Sequence, residues 1–176
     1  MASMSACQQR LGDQPKYDAY EESHFYENGS ANRAPVKNTV ARGSVQADAL
    51  FDTGMVNGKE SDHLPMPMTS ALLKRGQQRF GIYCSACHGL TGEANGVVVQ
   101  RGFPAPPSYH EERLRQAPIG HFFNVMTNGY GRMYRFGDRI PAADRWAISA
   151  YIRALQLSRN VNVRDLTADE RARLEK

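Results

Sequence analysis

No run in this sequence approaches the roughly 20 consecutive apolar residues that a helix needs to cross a bilayer. Aromatic side chains make up only 9% of 176 residues. The mean hydropathy is −0.57. With so little apolar material, the whole chain does not read as one large core. No internal repeat and no low-complexity tract is present. Nucleic-acid motifs are absent, and basic residues do not interleave with aromatics along a strand, so nucleic acid ranks low as a partner. Cysteine is scarce, with three in all: Cys7, Cys84 and Cys87.

The formal net charge of +4 conceals an uneven distribution. Residues 1–70 hold six basic against nine acidic side chains, residues 71–160 hold twelve against five, and residues 161–176 hold four of each. A mildly acidic segment thus precedes a basic one. Such a basic excess suits an anionic surface or an acidic protein partner.

Residues 1–69 show no sustained helical or strand period and are dense in Asn, Gly, Pro, Ser and charge. Tyr17, Tyr20, Phe25, Tyr26 and Val40 are nevertheless scattered along them. The segment reads as an extended arm that packs against its own domain or a partner; a plain disordered tether is the alternative. The pattern changes at "MTSALLKRGQQRFGIYCSACHG". Thr69 or Ser70 can cap a helix. Leu72, Leu73, Gly76, Phe80, Tyr83 and Cys84 follow at helical spacing. Gly89 is expected to end that helix in a left-handed conformation.

Further on, "TGEANGVVVQRGFPAPPSYH" reads as loop. "EERLRQAP" predicts a short helix, and "PIGHFFNVMTNG" another that starts at Pro118 and ends near Asn128–Gly129. "YGRMYRFGDRIP" is again loop. "AADRWAISAYIRALQLS" predicts an amphipathic helix burying Trp146, Ile148, Tyr151, Ile152 and Leu155. In "TADERARLEK", Thr167 and Glu170 have capping-box spacing. The expected organisation is an arm over 1–69, a mainly helical domain over 70–158 and a tail over 159–176.

The chemistry concentrates in Cys84-Ser-Ala-Cys87-His88. This C-x-x-C-H spacing is that of c-type haem attachment. Two intervening residues let both sulfurs reach the vinyl groups on one porphyrin edge, and the next residue offers an imidazole to the iron. A zinc site would want four ligands, usually two such pairs. A thioredoxin-like C-x-x-C would want a βαβ context. Neither is visible. One haem c is therefore expected on Cys84 and Cys87, with His88 as proximal axial ligand.

The distal position has several candidates. Met133 stands in a Gly-rich loop just before the long amphipathic helix, where backbone free of regular bonding can reach across the ring. Met126 lies among Phe122, Phe123 and Val125, where core packing is the simpler role. His121 is a third candidate, and an open site a fourth. Met66 and Met68 lie at the domain edge, and His110 reads as an exposed polar residue.

The helix with Gly76 and Phe80, the C-x-x-C-H-G, the late Gly-rich loop with Met133 and the helix with Trp146 and Tyr151 together resemble class I cytochrome c over residues 70–158. The resemblance implies a mainly α fold of four to five short helices around one haem. It implies that the first and last helices cross near the haem edge, with Gly76 allowing close approach and Tyr151 and Leu155 as contacts. It also implies that Met133 is the distal ligand. A proline carbonyl, matching Pro106 in "APPSY", would accept the hydrogen bond of the His88 ring. Tyr109 stands where the usual P-x-x-L pattern has leucine.

A narrower resemblance spans nearly the whole chain. "DQPKYDAYEESHFYENGSANRAPVKNTVARG", "CHGLTGEANGVVVQRGFPAPPSY" and "GYGRMYRFGDRIPAADRWAISAYIRALQ" look like the mono-haem cytochrome c subunit of alternative complex III. What this implies is an electron-transfer subunit, not itself an enzyme. It would be held by its arm to a quinol-oxidising respiratory complex with multi-haem cytochrome partners, and would relay electrons to a terminal oxidase or carrier. A free-standing tethered or periplasmic carrier is the alternative, with a small haem enzyme or haem sensor behind it.

Haem attachment of this kind occurs outside the cytoplasm, so export is expected. Met4-Ser5-Ala6-Cys7 resembles the last four positions of a bacterial lipobox, which reads as the remnant of a longer signal peptide. Cleavage before Cys7 would leave a lipid-bearing N-terminus on the periplasmic face of the cytoplasmic membrane. An incidental free thiol is the alternative. Arg101, Arg132, Arg135 and Arg139 are candidates for pairing with haem propionates or for ringing a docking face; a solvated charged surface is the simpler reading of each.

Overall fold

The computed structural model describes residues 14–18, 21–33, 36–39 and 48–174. The chain divides into two compact units, Met1–Val45 and Gln46–Lys176.

In the first unit, residues 21–33 form a closed loop rather than extended chain. An antiparallel bridge pairs Glu22 with Ser30. Ser23 N donates to the Gly29 carbonyl at 3.0 Å, and Ala31 N to the Glu21 carbonyl at 3.1 Å. Arg33 lies 3.9 Å from the centre of the Tyr26 ring and donates to Asn28 Oδ1 at 2.9 Å.

The second unit begins well before residue 70, where the sequence reading placed its start. Helix α1 (Ala49–Thr53) is capped by Asp48, whose carboxylate accepts from the amides of Leu50 and Phe51. Gly54 ends it with φ +74°, and a hairpin follows, β1 (Met55–Val56) with β2 (Lys59–Glu60). These residues belong to the domain because Leu50, Phe51, Leu64 and Met66 pack on a cluster of Ile119, Phe123 and Trp146. Four apolar side chains without a period were invisible as a folded segment, yet they fit one surface.

Helix α2 (Ser70–Tyr83) starts at Thr69, whose side chain accepts from Leu72 N. It does not run on to Gly89. It ends at Cys84, and a separate turn, α3 (Ser85–His88), carries the motif. Gly89 follows with φ +74° and an extended ψ of 161° rather than a left-handed helical one. A Cβ there would meet Asn95 Oδ1 at 2.1 Å. The segment read as loop contains α4 (Val97–Gln100). Then come α5 (Glu112–Gln116), α6 (Ile119–Asn128), α7 (Ala142–Asn160), a 3₁₀ turn (Val163–Asp165) and α8 (Ala168–Leu174).

Helices α2 and α7 form the main interface. They are close because Gly76 presents bare backbone to Ala147 and Tyr151. At the start of α7 the Asp144 carboxylate accepts from Arg75 Nε and Nη2 at 2.7 and 2.9 Å. This bidentate pairing holds the Arg75 guanidinium above its ordinary pKa. Arg79 Nε lies 3.1 Å from the same carboxylate but is not aligned for a hydrogen bond, so its contribution is charge proximity. No helix among the described residues is long and apolar enough to cross a membrane.

Candidate functional site

Helix α3 exists because Cys84 is shared between two helices. Its amide still donates to Phe80 in α2, while its carbonyl accepts from His88 N at 2.9 Å and Cys87 N at 3.2 Å. One tight turn therefore brings Cys84, Cys87 and His88 together, as the spacing requires. The loop beyond is pressed against this turn. A Cβ at Gly96 would lie 2.2 Å from the Ala86 carbonyl oxygen, and Gly96 N donates to the Cys87 carbonyl at 3.1 Å. Ala94 N donates to the His88 carbonyl at 2.9 Å. To do so Ala94 adopts φ +65°, unusual for a residue with a side chain.

Burial governs the chemistry of these groups. His88 is 9% exposed. Desolvation lowers its pKa to about 4, so its imidazole is neutral near pH 7 and keeps a lone pair for a metal. Burial, helped by the neighbouring Cys87, raises the Cys84 thiol to about 12. Both cysteines are free of disulfides, Cys84 buried and Cys87 half-buried.

Met133 is half-buried and packs on the cluster that contains Cys84, Phe80, Tyr109 and Phe122. Its loop is fixed by backbone bonds. Met133 and Tyr130 exchange two, at 2.9 and 3.1 Å, and Phe136 N donates to the Met126 carbonyl at 2.8 Å. Gly129 must be glycine here, because φ is +80° and a Cβ would lie 2.7 Å from the Met133 carbonyl oxygen. Met126 joins the same cluster but is enclosed at 4% exposure. His121 Nδ1 lies 3.0 Å from Glu60 Oε2, and Asn124 donates to the same carboxylate at 2.9 Å. That histidine serves to fasten the hairpin to α6.

Pro106 is half-buried in the loop before α5. His88 Nδ1 is buried without a hydrogen-bond partner, so the bond to the Pro106 carbonyl implied by the resemblance is not made here. Instead the Tyr109 ring lies flat on the imidazole, 4.6 Å between centres and 15° between planes. Composition and spacing did not reveal that contact. A signal existed in Gln156, a polar residue one turn beyond Ile152 on the buried face of α7. It is 5% exposed and donates to the carbonyls of Tyr109 and Leu114 at 2.8 and 3.1 Å. Arg101, Arg132, Arg135 and Arg139 are all exposed. Arg135 pairs with Asp138 at 3.5 Å, and Arg139 lies 5.4 Å from the Tyr134 ring centre. Cys7 lies outside the described residues.

Residues 71–152 match the family model described as "Cytochrome C oxidase, cbb3-type, subunit III". These residues form a cytochrome c domain. No curated protein matches the chain. Among solved structures, a chain of the reducing HAO-like protein complex of Kuenenia stuttgartiensis is similar at 20% identity with a TM-score of 0.46. The match covers 60% of this chain and 53% of that one. The cytochrome domain has the mainly helical class I architecture expected, with a small hairpin added at its N-terminal edge. Its residues fit a haem c: two free cysteines on one helical turn, a neutral buried histidine beside them and a thioether in the same cluster. Electron transfer with haem is the function such a domain carries.

Proposed function

We propose that this protein carries one haem c and relays electrons as a subunit of a quinol-oxidising respiratory complex of the alternative complex III type. The observation that carries the haem reading is that Cys84, Cys87 and His88 share one turn while Met133 packs on the cluster that contains Cys84. Cys84 and Cys87 would hold the porphyrin by thioether bonds, and His88 and Met133 would hold the iron. Bound there, the group supplies a reversible one-electron couple, and methionine ligation raises its potential relative to two histidines.

The chain's own residues do the rest. Burial keeps His88 unprotonated. The backbone bonds between Tyr130 and Met133 hold the loop without help from the methionine side chain. Phe80, Tyr109 and Phe122 keep water from the ligand side. With His88 and Met133 both held to the iron, substrate chemistry there would be disfavoured, which favours a relay over a small haem enzyme. Support for the complex comes from the sequence resemblance along the arm. The arm's net negative charge and the domain's net positive charge also suit different surfaces. Lipid on Cys7 would place the protein on the periplasmic face of the membrane.

Purification from native membranes tests this reading. A haem-staining band of this chain that co-migrates with membrane and multi-haem subunits is expected, with lipid on Cys7 by mass spectrometry. A soluble, partnerless protein with an intact Met1 and a free Cys7 thiol would overturn the complex and the anchor. It would leave the free carrier as the function.

A further inference from the structure

We propose that residues 21–33 form a preformed docking knob, with Phe25 as the anchor that enters an apolar pocket rimmed by lysine or arginine on another subunit. The inference deepens the proposed place in a respiratory complex and rests on it.

Phe25 sits in a loop folded by its own bonds, yet its side chain is 81% exposed. Its backbone is fixed. Phe25 N donates to Ser23 Oγ at 3.3 Å, and Ser23 is 1% exposed. Gly29 N closes a turn onto the Tyr26 carbonyl at 2.9 Å. The neighbouring ring is held too. Tyr26 meets Phe25 edge-on, 5.0 Å between centres and 87° between planes. Arg33 lies over the Tyr26 ring at 3.9 Å and donates to Asn28 Oδ1 at 2.9 Å. Protein interfaces draw most of their energy from a few aromatic anchors. An anchor already held in place gives up little freedom on binding. Phe25 on this loop has both properties.

Charge selects the surface it meets. Glu22 and Glu27 are exposed, and no cation among the described residues pairs with either. Glu21 accepts from the Asp18 amide at 2.7 Å, which leaves its charge uncompensated. The nearby cations are engaged: Lys16 with Asp18 at 3.1 Å, and Arg33 with Tyr26 and Asn28. The loop thus presents an apolar tip among carboxylates. A basic rim complements it. An anionic lipid surface, which attracts basic segments, opposes it.

The test uses the full-length holoprotein with Cys7→Ser throughout, so that no lipid contributes. One probe is the membrane complex purified from cells lacking this chain. The other is vesicles of phosphatidylethanolamine and phosphatidylglycerol. Phe25→Ala is expected to weaken binding to the complex by about 30-fold or more. Phe25→Tyr adds only a hydroxyl, which is harmless in solvent and unfavourable in an apolar pocket, and is expected to weaken binding by about fivefold or more. Both variants should keep the parental thermal midpoint and haem absorption, because the ring supports neither. Glu22→Lys combined with Glu27→Lys should weaken binding at low salt, with the difference fading at high salt.

Equal affinity of the parent, Phe25→Ala and Phe25→Tyr for the complex would overturn the proposal. So would vesicle binding that falls with Phe25→Ala while binding to the complex does not, since the ring would then enter lipid. A charge-reversed variant that binds the complex more tightly would overturn the basic rim. A parental chain that does not bind the complex at all would overturn the complex reading as well. Parental binding indifferent to residue 25 would overturn this inference alone.

Discussion

A Cβ on Gly76 would lie 2.0 Å from the backbone carbonyl oxygen of Ala147 and 2.9 Å from Tyr151 Cβ. The obstacle is main chain of α7, which has no rotamer by which to retreat. The two helices that frame the motif are therefore as close as they are because residue 76 has no side chain.

Gly76→Ala follows directly. The added methyl gains about 1 kcal/mol of helix propensity. It also forces α2 and α7 apart, and overpacking of this kind costs up to about 3 kcal/mol or more. The net expectation is a loss of up to about 2 kcal/mol, measured as a lowered denaturant midpoint of the holoprotein. Gly81, which has nothing within 4 Å of its virtual Cβ, provides the control. Gly81→Ala should be neutral or stabilising, so a similar loss at both positions would refute the close-approach argument.

The boundary of the haem domain gives a second prediction. Trp146 is fully buried, stacks on Phe123 at 4.4 Å between ring centres and donates Nε1 to the Phe51 carbonyl at 2.8 Å. A chain starting at Gln46 should keep the stability of the full-length domain. One starting at Ser70 loses Leu50, Phe51, Leu64 and Met66 from that cluster. At about 1.5–3 kcal/mol for each fully buried apolar side chain, and less for these partly buried ones, a loss of roughly 3–6 kcal/mol is expected. Thermal unfolding followed by near-ultraviolet circular dichroism of Trp146, the single tryptophan, reads it. Equal midpoints for the two truncations would show that residues 46–69 are dispensable.

That boundary also shows what the sequence made legible. The motif at Cys84–His88, the apolar faces of α2, α6 and α7 and the Gly-rich loop at Met133 are local patterns, readable within a turn or two. The role of Gly76 was legible only through the family resemblance. Phe51 meets Trp146 across 95 positions, and no local period announces such a contact. Tyr109 on His88 and Gln156 on Tyr109 are likewise tertiary. The break of the helix at Cys84 was hidden because periodicity continues through it. Ala94 gave no warning of a positive φ, since glycine or asparagine would be the usual signal there.

Ala94 thus offers a stabilising substitution. Its φ of +65° is strained for a residue with a Cβ, and its amide is committed to the His88 carbonyl. Ala94→Gly relieves roughly 1 kcal/mol or slightly more of strain but gives up part of that to greater unfolded-state entropy and to the loss of a buried methyl group. A gain of up to about 0.5 kcal/mol is expected, with unchanged haem absorption. A clear loss of stability would mean that the methyl's packing outweighs the backbone strain.

Met133 decides between relay and enzyme. Its loop is held by main-chain bonds to Tyr130 and by Phe136 to Met126, none of which involves the thioether. Met133→Ala should therefore leave the loop in place and remove only the thioether proposed to hold the iron. Three results are expected together. The ferric spectrum changes, the ferrous form gains rapid carbon monoxide binding that the parent lacks, and the midpoint potential falls. Axial ligands span about 0.8 V across haem proteins, and a shift on the order of 0.1 V or more is the scale to look for. The parallel variant Met126→Leu removes the other methionine of the cluster at nearly constant volume, for less than about 1.5 kcal/mol. It should keep the parental spectrum. If the two variants exchange behaviours, Met126 is the ligand and the loop only covers it. If neither changes the spectrum and the parent already binds carbon monoxide, the distal site is open. The enzyme and sensor readings would then replace the relay.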